Sequence, residues 1–152
     1  VLDTRGQLIT LSRDELELGY RTSRVTREGL VVLSATFALS PANEEEIREK
    51  MRILNQKRRE KQPLEFPSAG STFKRPAGYF AGKLIEDAGL KGFTIGGAQV
   101  SEKHAGFVIN RGQATAADIL AVIDHCRKQV QKQFGVELEP EVKIWGVPAP
   151  RK

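Results

Sequence analysis

Residues 115–135, TAADILAVIDHCRKQVQKQFG, carry the pattern that decides the fold. Thr115 and Asp118 stand at capping-box spacing, placing a hydroxyl and a carboxylate where a helix start needs backbone partners. Ile119, Ile123, Cys126, Val130 and Phe134 then recur every three or four residues, so one stripe of the helix faces a core. Gly135 closes it, because glycine takes the left-handed C-cap conformation without a steric penalty. Cys126 on that stripe reads as core packing rather than as a nucleophile, since a buried thiol behaves as a small hydrophobe.

Upstream of this helix, Thr94 to Asn110 reads as a pair of strands, and Phe80, Leu84 and Ala88 mark a helix ended by Gly89. Downstream, Glu141-Val142-Lys143-Ile144-Trp145 alternates charged with apolar residues and predicts a closing strand. The stretch from Lys61 to Tyr79 holds Pro63, Pro67, Gly70, Pro76 and Gly78, too irregular for a regular element and longer than a typical connection. Long ordered loops often carry function. Before it, Asn43 and Glu46 form a second cap pattern, followed by Ile47, Met51 and Leu54 at helical spacing. Glu44, Glu45 and Glu46 open this helix and Lys57, Arg58, Arg59 and Lys61 close it, which suits its dipole at both ends.

Further back, Gly29 to Leu39 sets Val31, Leu33, Ala35, Phe37 and Leu39 at period two, the pattern of a strand with a buried face. Ser12 with Glu15 predicts a short helix over Arg13 to Leu18, and Val1 to Leu11 reads as two strands around a turn containing Gly6. A chain that opens inside a hairpin suggests a fragment boundary. Together these elements predict an α+β fold, without internal repeats or low-complexity tracts.

The chain has 152 residues, of which 39% are hydrophobic, enough for one core or for one small domain plus a remnant of another. It holds no apolar run of membrane-spanning length and no signal-peptide pattern, and so reads as soluble and cytoplasmic. One cysteine excludes an internal disulfide, and two histidines without a Cys-x-x-Cys partner leave no recognisable zinc site. Any redox chemistry therefore requires a bound organic cofactor. The net charge of +5 favours anionic partners, but nucleic acid, a nucleotide sugar and a phosphorylated cofactor all satisfy it.

Several residues are candidates for chemistry. In Pro67-Ser68-Ala69-Gly70-Ser71-Thr72-Phe73-Lys74 the small residues allow close backbone approach to a ligand, and the serines offer hydroxyls; a plain turn is the alternative. Glu141 after Pro140 is either a catalytic carboxylate or a solvated strand end. Arg21, after Gly19-Tyr20, either clamps a carboxylate or pairs with Asp14 or Glu17 on the surface. His104 and His125 have weaker claims.

Six segments in one order are more specific than any one of them. They are Gly19-Tyr20-Arg21-Thr22-Ser23, Pro67 to Pro76, Ala81-Gly82-Lys83-Leu84-Ile85, Gly92 to Ala98, Lys103-His104-Ala105-Gly106-Phe107 and Glu139-Pro140-Glu141-Val142-Lys143. The series resembles the UDP-N-acetylenolpyruvoylglucosamine reductase (MurB) family, of the shorter type without an inserted tyrosine loop, from about Val1 to Gly146. The family's glycine-rich flavin pyrophosphate loops and its Asn-Ala-Gly segment have no counterpart here. Lys143 stands where arginine is common, and Arg75 where some members have asparagine.

The resemblance implies a remnant of an FAD-binding domain over residues 1–62. A mixed α/β substrate-binding domain with a small, largely antiparallel sheet follows over 63–146, then a tail over 147–152. It also implies FAD as cofactor, NADPH as hydride donor and UDP-N-acetylglucosamine enolpyruvate as substrate, reduced to UDP-N-acetylmuramate for peptidoglycan. Ser71 matches the donor of a proton to the substrate carbon, while Arg21 and Glu141 match the groups beside its carboxylate. Lys61 resembles a lysine on the diphosphate, and Arg75 and His104 match further substrate-lining positions. The missing N-terminal half would be needed in cis or in trans. A flavin-free nucleotide-sugar module is the alternative, and a basic nucleic-acid-binding domain is a weaker one, since no RNP, KH or helix-turn-helix pattern is present.

Overall fold

The computed structural model describes residues 1–146. It forms two compact units, Val1–Asn43 and Glu44–Lys152. The expected tail, 147–152, lies outside the described residues.

In the first unit the expected hairpin is reduced to single bridges, Leu2 to Leu8 and Leu2 to Val31. The Asp3 carboxylate accepts from the N–H groups of Arg5 and Gln7 at 2.9 and 2.8 Å, which shapes the turn around Gly6. Ser12 and Glu15 make the expected capping bonds, yet Arg13 to Leu18 remains a turn and not a helix. Glu17 there has φ 46°, outside helical geometry. A helix the sequence reading did not anticipate, α1 (Arg24–Glu28), starts on the Ser23 hydroxyl and ends on left-handed Gly29.

The expected strand over Gly29 to Leu39 does not form. Val31 alone exchanges hydrogen bonds, with Leu2 at 2.8 and 2.9 Å, and Leu33, Phe37 and Leu39 are exposed. The physical reason is the lack of a neighbour: among the described residues no second strand runs beside 32–39, so neither the backbone ladder nor the apolar face is completed.

The second unit opens with α2 (Glu44–Lys61), acidic in its first turn and basic in its last. Ion pairs Arg48–Glu44 and Arg52–Glu49, one turn apart, support it. Its apolar Ile47, Met51 and Leu54 sit at the expected spacing but are exposed.

α3 (Ala81–Asp87) follows the long loop and buries Ala81, Leu84 and Ile85. The segment read as a pair of strands is instead a three-stranded antiparallel meander, β1 (Thr94–Ile95), β2 (Ala98–Val100) and β3 (Val108–Asn110). β2 pairs Ala98 with Asn110 and Val100 with Val108. Buried Ser101 ends β2 and accepts from the N–H groups of Lys103 and His104 at 3.2 and 3.3 Å.

α4 (Ala116–Phe134) has the expected capping box and the left-handed Gly135 at its end. The Thr115 N–H, and then its hydroxyl, hold the Asp118 carboxyl below its usual range, so this cap is intact at neutral pH and is lost as acid protonates it. The inner stripe is Val122, Ile123, Cys126 and Val130, whereas Phe134, the last residue of the helix, is exposed. These residues pack with Ala98, Val100, Ile85 and Leu138 into one core.

The expected closing strand, Glu141 to Trp145, is not formed either. Pairing stops at a single bridge between Phe73 and Pro140, flanked by Lys74 N–H to Glu139 O and Glu141 N–H to Thr72 O, both 2.9 Å. Pro140 has no N–H to extend a ladder, and the facing chain reaches Pro76 within three residues of the bridge. Val142 still packs on the core, while Ile144 and Trp145 are exposed.

The β1–β2 turn meets the chain before α4 at Gly97, where a Cβ would stand 2.3 Å from Gly112 O and 2.5 Å from Ala114 N. Both obstacles are backbone. Gly97→Ala is therefore expected to cost about 1–3 kcal/mol, measured as a lower urea midpoint. An unchanged midpoint would contradict this close approach.

Candidate functional site

The serine loop is rigid where it meets the core. Phe73 is 2% exposed and anchors it, and Thr72, also 2% exposed, is bonded on three sides. The Thr72 N–H donates to Gly106 O at 2.9 Å, its Oγ1 accepts from Val108 N–H at 3.0 Å, and its carbonyl accepts from Glu141 N–H at 2.9 Å. Gly70, with φ 86°, then turns the chain outward, a conformation that glycine adopts without strain. Ser71, between Gly70 and Thr72, is exposed and donates its hydroxyl to Phe73 O over a long 3.3 Å.

Ser71 lines a cavity of about 470 Å³ together with Ser68, Phe66, Phe107, Arg58 and Gln62. Arg58 comes from the last turn of α2 and Gln62 directly follows that helix; Arg58 Nε donates to Gln62 Oε1 at 3.1 Å. Lys61 is exposed and is not part of this lining. A second cavity, of about 400 Å³, is lined by Lys74, Arg75, Tyr79, Glu137 and Glu139. Arg75 there stacks 3.9 Å above the Phe80 ring and donates to Tyr79 O, and Lys74 pairs with Glu139. Ser71 and Arg75 thus face different hollows.

His104 is half-buried. Its Nδ1 accepts from Gly106 N–H at 3.0 Å, which in the neutral ring leaves the proton on Nε2 as a donor. The ring packs edge-on against Phe107 and lies over Gly82, where a Cβ would come within 3.1 Å of Cε1. His125 instead stacks on Phe93 at 4.0 Å, a packing position. Lys103 reaches Glu65 at 3.4 Å and ties this turn to the long loop.

Glu141 is half-buried and coupled to Ser71 through the Thr72 peptide. Arg21 belongs to the other unit, at the tip of a tight turn closed by Gly19 and Thr22. Its φ of 56° is one that a non-glycine residue adopts at some cost, and its guanidinium lies 5.6 Å from the Tyr20 ring centroid. Two residues of this neighbourhood escaped the sequence reading. Arg58 was absorbed into a basic helix end, though its i,i+4 relation to Gln62 could have shown which face it shares. Thr72 carried no signal beside two serines.

The family model for the C-terminal domain of UDP-N-acetylenolpyruvoylglucosamine reductase matches residues 62–145. The chain belongs to this reductase family. A UDP-N-acetylenolpyruvoylglucosamine reductase of Lachnoclostridium phytofermentans is 60% identical over 146 residues, covering 96% of this chain and 47% of that protein. The enzyme of the same name from Clostridium beijerinckii is 61% identical over the same length and is covered to 48%. The crystal structure of the Thermus caldophilus reductase aligns with a TM-score of 0.71 and 36% identity, over 87% of this chain and 46% of that one. The chain thus spans about half the length of the reductases it matches, and its α+β architecture is that of the reductase fold.

Among the described residues, no helix is long and apolar enough to cross a membrane, and no cluster of three His, Cys, Asp or Glu could hold a metal. Cys126 is fully buried, and burial pushes its thiol up to about 12. A disulfide reagent added to the native chain is expected to label no thiol within minutes, and one thiol after denaturation in urea. Rapid labelling of the native chain would contradict the packing of α4.

Proposed function

We propose that this chain is the substrate-handling part of a reductase that converts UDP-N-acetylglucosamine enolpyruvate to UDP-N-acetylmuramate in the cytoplasm, for peptidoglycan synthesis. On this reading residues 1–62 end the flavin domain and residues 63–146 form the substrate domain. The observation that carries it is the seating of Ser71: an exposed hydroxyl on a cavity wall, held one residue from a fully bonded, buried Thr72.

The two long helices do not by themselves suit a flavin's phosphates. A dinucleotide's pyrophosphate is best held by helix N-terminal N–H groups free of competing carboxylates. α2 begins on three glutamates and the start of α4 is closed by Asp118. FAD reduced by NADPH would supply hydride chemistry only with the half of the protein absent from this sequence, in cis or in trans.

What this chain supplies is charge control and a proton. After reduction of the vinyl group, negative charge gathers on the substrate carbon that bears the carboxylate. A fixed cation and an acid beside it, assigned to Arg21 and Glu141, stabilise that charge. Ser71 Oγ then donates its proton to the carbon. A hydroxyl suffices as the acid because the carbanion is a strong base and the donor is positioned. Breaking the 3.3 Å bond to Phe73 O frees it for this transfer. Lys61, Arg75 and His104 are assigned to the nucleotide sugar, with the His104 Nε2 proton available to an oxygen acceptor. Arg58, on the Ser71 cavity, adds a cation to that group.

A flavin-free nucleotide-sugar module is the second reading; it needs only cations near the serine loop, such as Arg58 and Arg75, and no flavin contact. The nucleic-acid reading would rest on Lys57, Arg58, Arg59, Lys61, Lys74 and Arg75, and Lys74 among them is paired with Glu139.

Ser71→Ala in the full-length reductase is expected to slow reoxidation of reduced flavin by substrate by about 10² to 10⁴. Reduction of the flavin by NADPH should stay nearly unchanged, and Ser71→Cys should recover part of the loss. Stopped-flow measurement of the two half-reactions separates them. Equal slowing of both would mean that Ser71 only shapes its loop.

A further inference from the structure

We propose that Thr72 is a positioning residue of this site, setting the placement of Ser71 relative to Glu141. The inference rests on the assignment of Ser71 as proton donor.

Thr72 makes three bonds, two to the continuous stretch 106–108 and one to the segment carrying Glu141. Its N–H holds the 104–107 turn through Gly106, its hydroxyl holds β3 through Val108 N–H, and its carbonyl holds the segment that delivers Glu141. Ser71 precedes it by one peptide and Glu141 is bonded directly to it, so any movement of Thr72 changes the distance between the two. The Thr72 N–H also links to the His104 turn, because the ring Nδ1 accepts from the N–H of Gly106 while the carbonyl of Gly106 accepts from Thr72. Three of the assigned residues therefore share one hub.

The two backbone bonds could be made by any residue, but the third needs a β-hydroxyl. Val108 N–H is buried, and Thr72 Oγ1 is its acceptor. Valine has the size of threonine without the oxygen, so Thr72→Val leaves that donor without its acceptor and drives the loop to rearrange. Thr72→Ser keeps the oxygen and loses a methyl group. A residue that only filled the core would rank these in the opposite order, because valine preserves the packed volume and serine does not. The ranking distinguishes positioning from packing.

The experiment uses the full-length reductase with Thr72→Val, Thr72→Ser and Ser71→Ala side by side. Flavin reoxidation by the enolpyruvyl nucleotide sugar, flavin reduction by NADPH and substrate affinity are measured for each. Thr72→Val is expected to slow reoxidation by about 10²-fold, since a misplacement near 1 Å has effects of that size. Flavin reduction and substrate affinity should stay close to those of the parent, and Thr72→Ser should retain most of the rate. Reoxidation at the parental rate in Thr72→Val, with Ser71→Ala still slow, overturns the role of Thr72 and leaves the donor assignment standing. Normal reoxidation in Ser71→Ala overturns the donor assignment and this inference with it. If Thr72→Val does not accumulate as folded protein, Thr72→Ala replaces it, since alanine also removes the acceptor. Reoxidation at the parental rate in that variant overturns the proposal equally.

Discussion

The second unit depends on the seam between α4 and β2. Val122, Cys126 and Val130 are wholly removed from solvent, and so are Ala98 and Val100 in the same core. The small side chain of Ala98 leaves room for the helix to approach, and Gly97 lets the neighbouring turn reach the chain ahead of α4. Apolar burial supplies the driving force. A sheet of strands two and three residues long has too few ladder bonds to stand alone, so helix packing is what keeps it formed.

The candidate site hangs from that seam by short connections. β3 emerges from the core and presents Val108 N–H to Thr72, and Leu138 is buried just ahead of the segment carrying Glu141. The reacting groups are placed on loops, but the loops are bonded to residues that cannot move without opening the core. This arrangement supports positioning, which a general acid of low intrinsic strength requires. Arg21 lies in the other unit, at the tip of a turn held by two bonds between Gly19 and Thr22. The roles assigned to it and to Ser71 accordingly place different demands on the two halves of the chain.

Much of the second unit was legible because its signals are local. The capping box at Thr115, the stripe through Ile123, Cys126 and Val130, and the glycines that end α3 and α4 depend only on neighbouring residues. Strands were read less well because alternation specifies a face and not a partner. Val31, Leu33, Phe37 and Leu39 alternate correctly, yet among the described residues only Leu2 pairs with this stretch, at Val31. Val142 and Ile144 alternate too, but Pro140 and the departing loop leave one bridge. Ser71 and its glycine stood out by residue type. Thr72, which holds them, could not, since its role arises from Gly106, Val108 and Glu141, all distant in sequence. The family resemblance put forward a set of candidate residues, and the geometry places Ser71 and Arg75 among them on different cavities.

The central claim is that this chain holds a nucleotide-sugar site seated on its own core. Calorimetric titration of the 152-residue chain with UDP-N-acetylglucosamine tests it most directly, with a mixed-sequence oligonucleotide as the comparison. The account predicts saturable one-to-one binding of the nucleotide sugar that weakens as salt is raised, because cations meet its diphosphate. Absence of saturable heat with the nucleotide sugar, alongside salt-sensitive binding of the oligonucleotide, would contradict it.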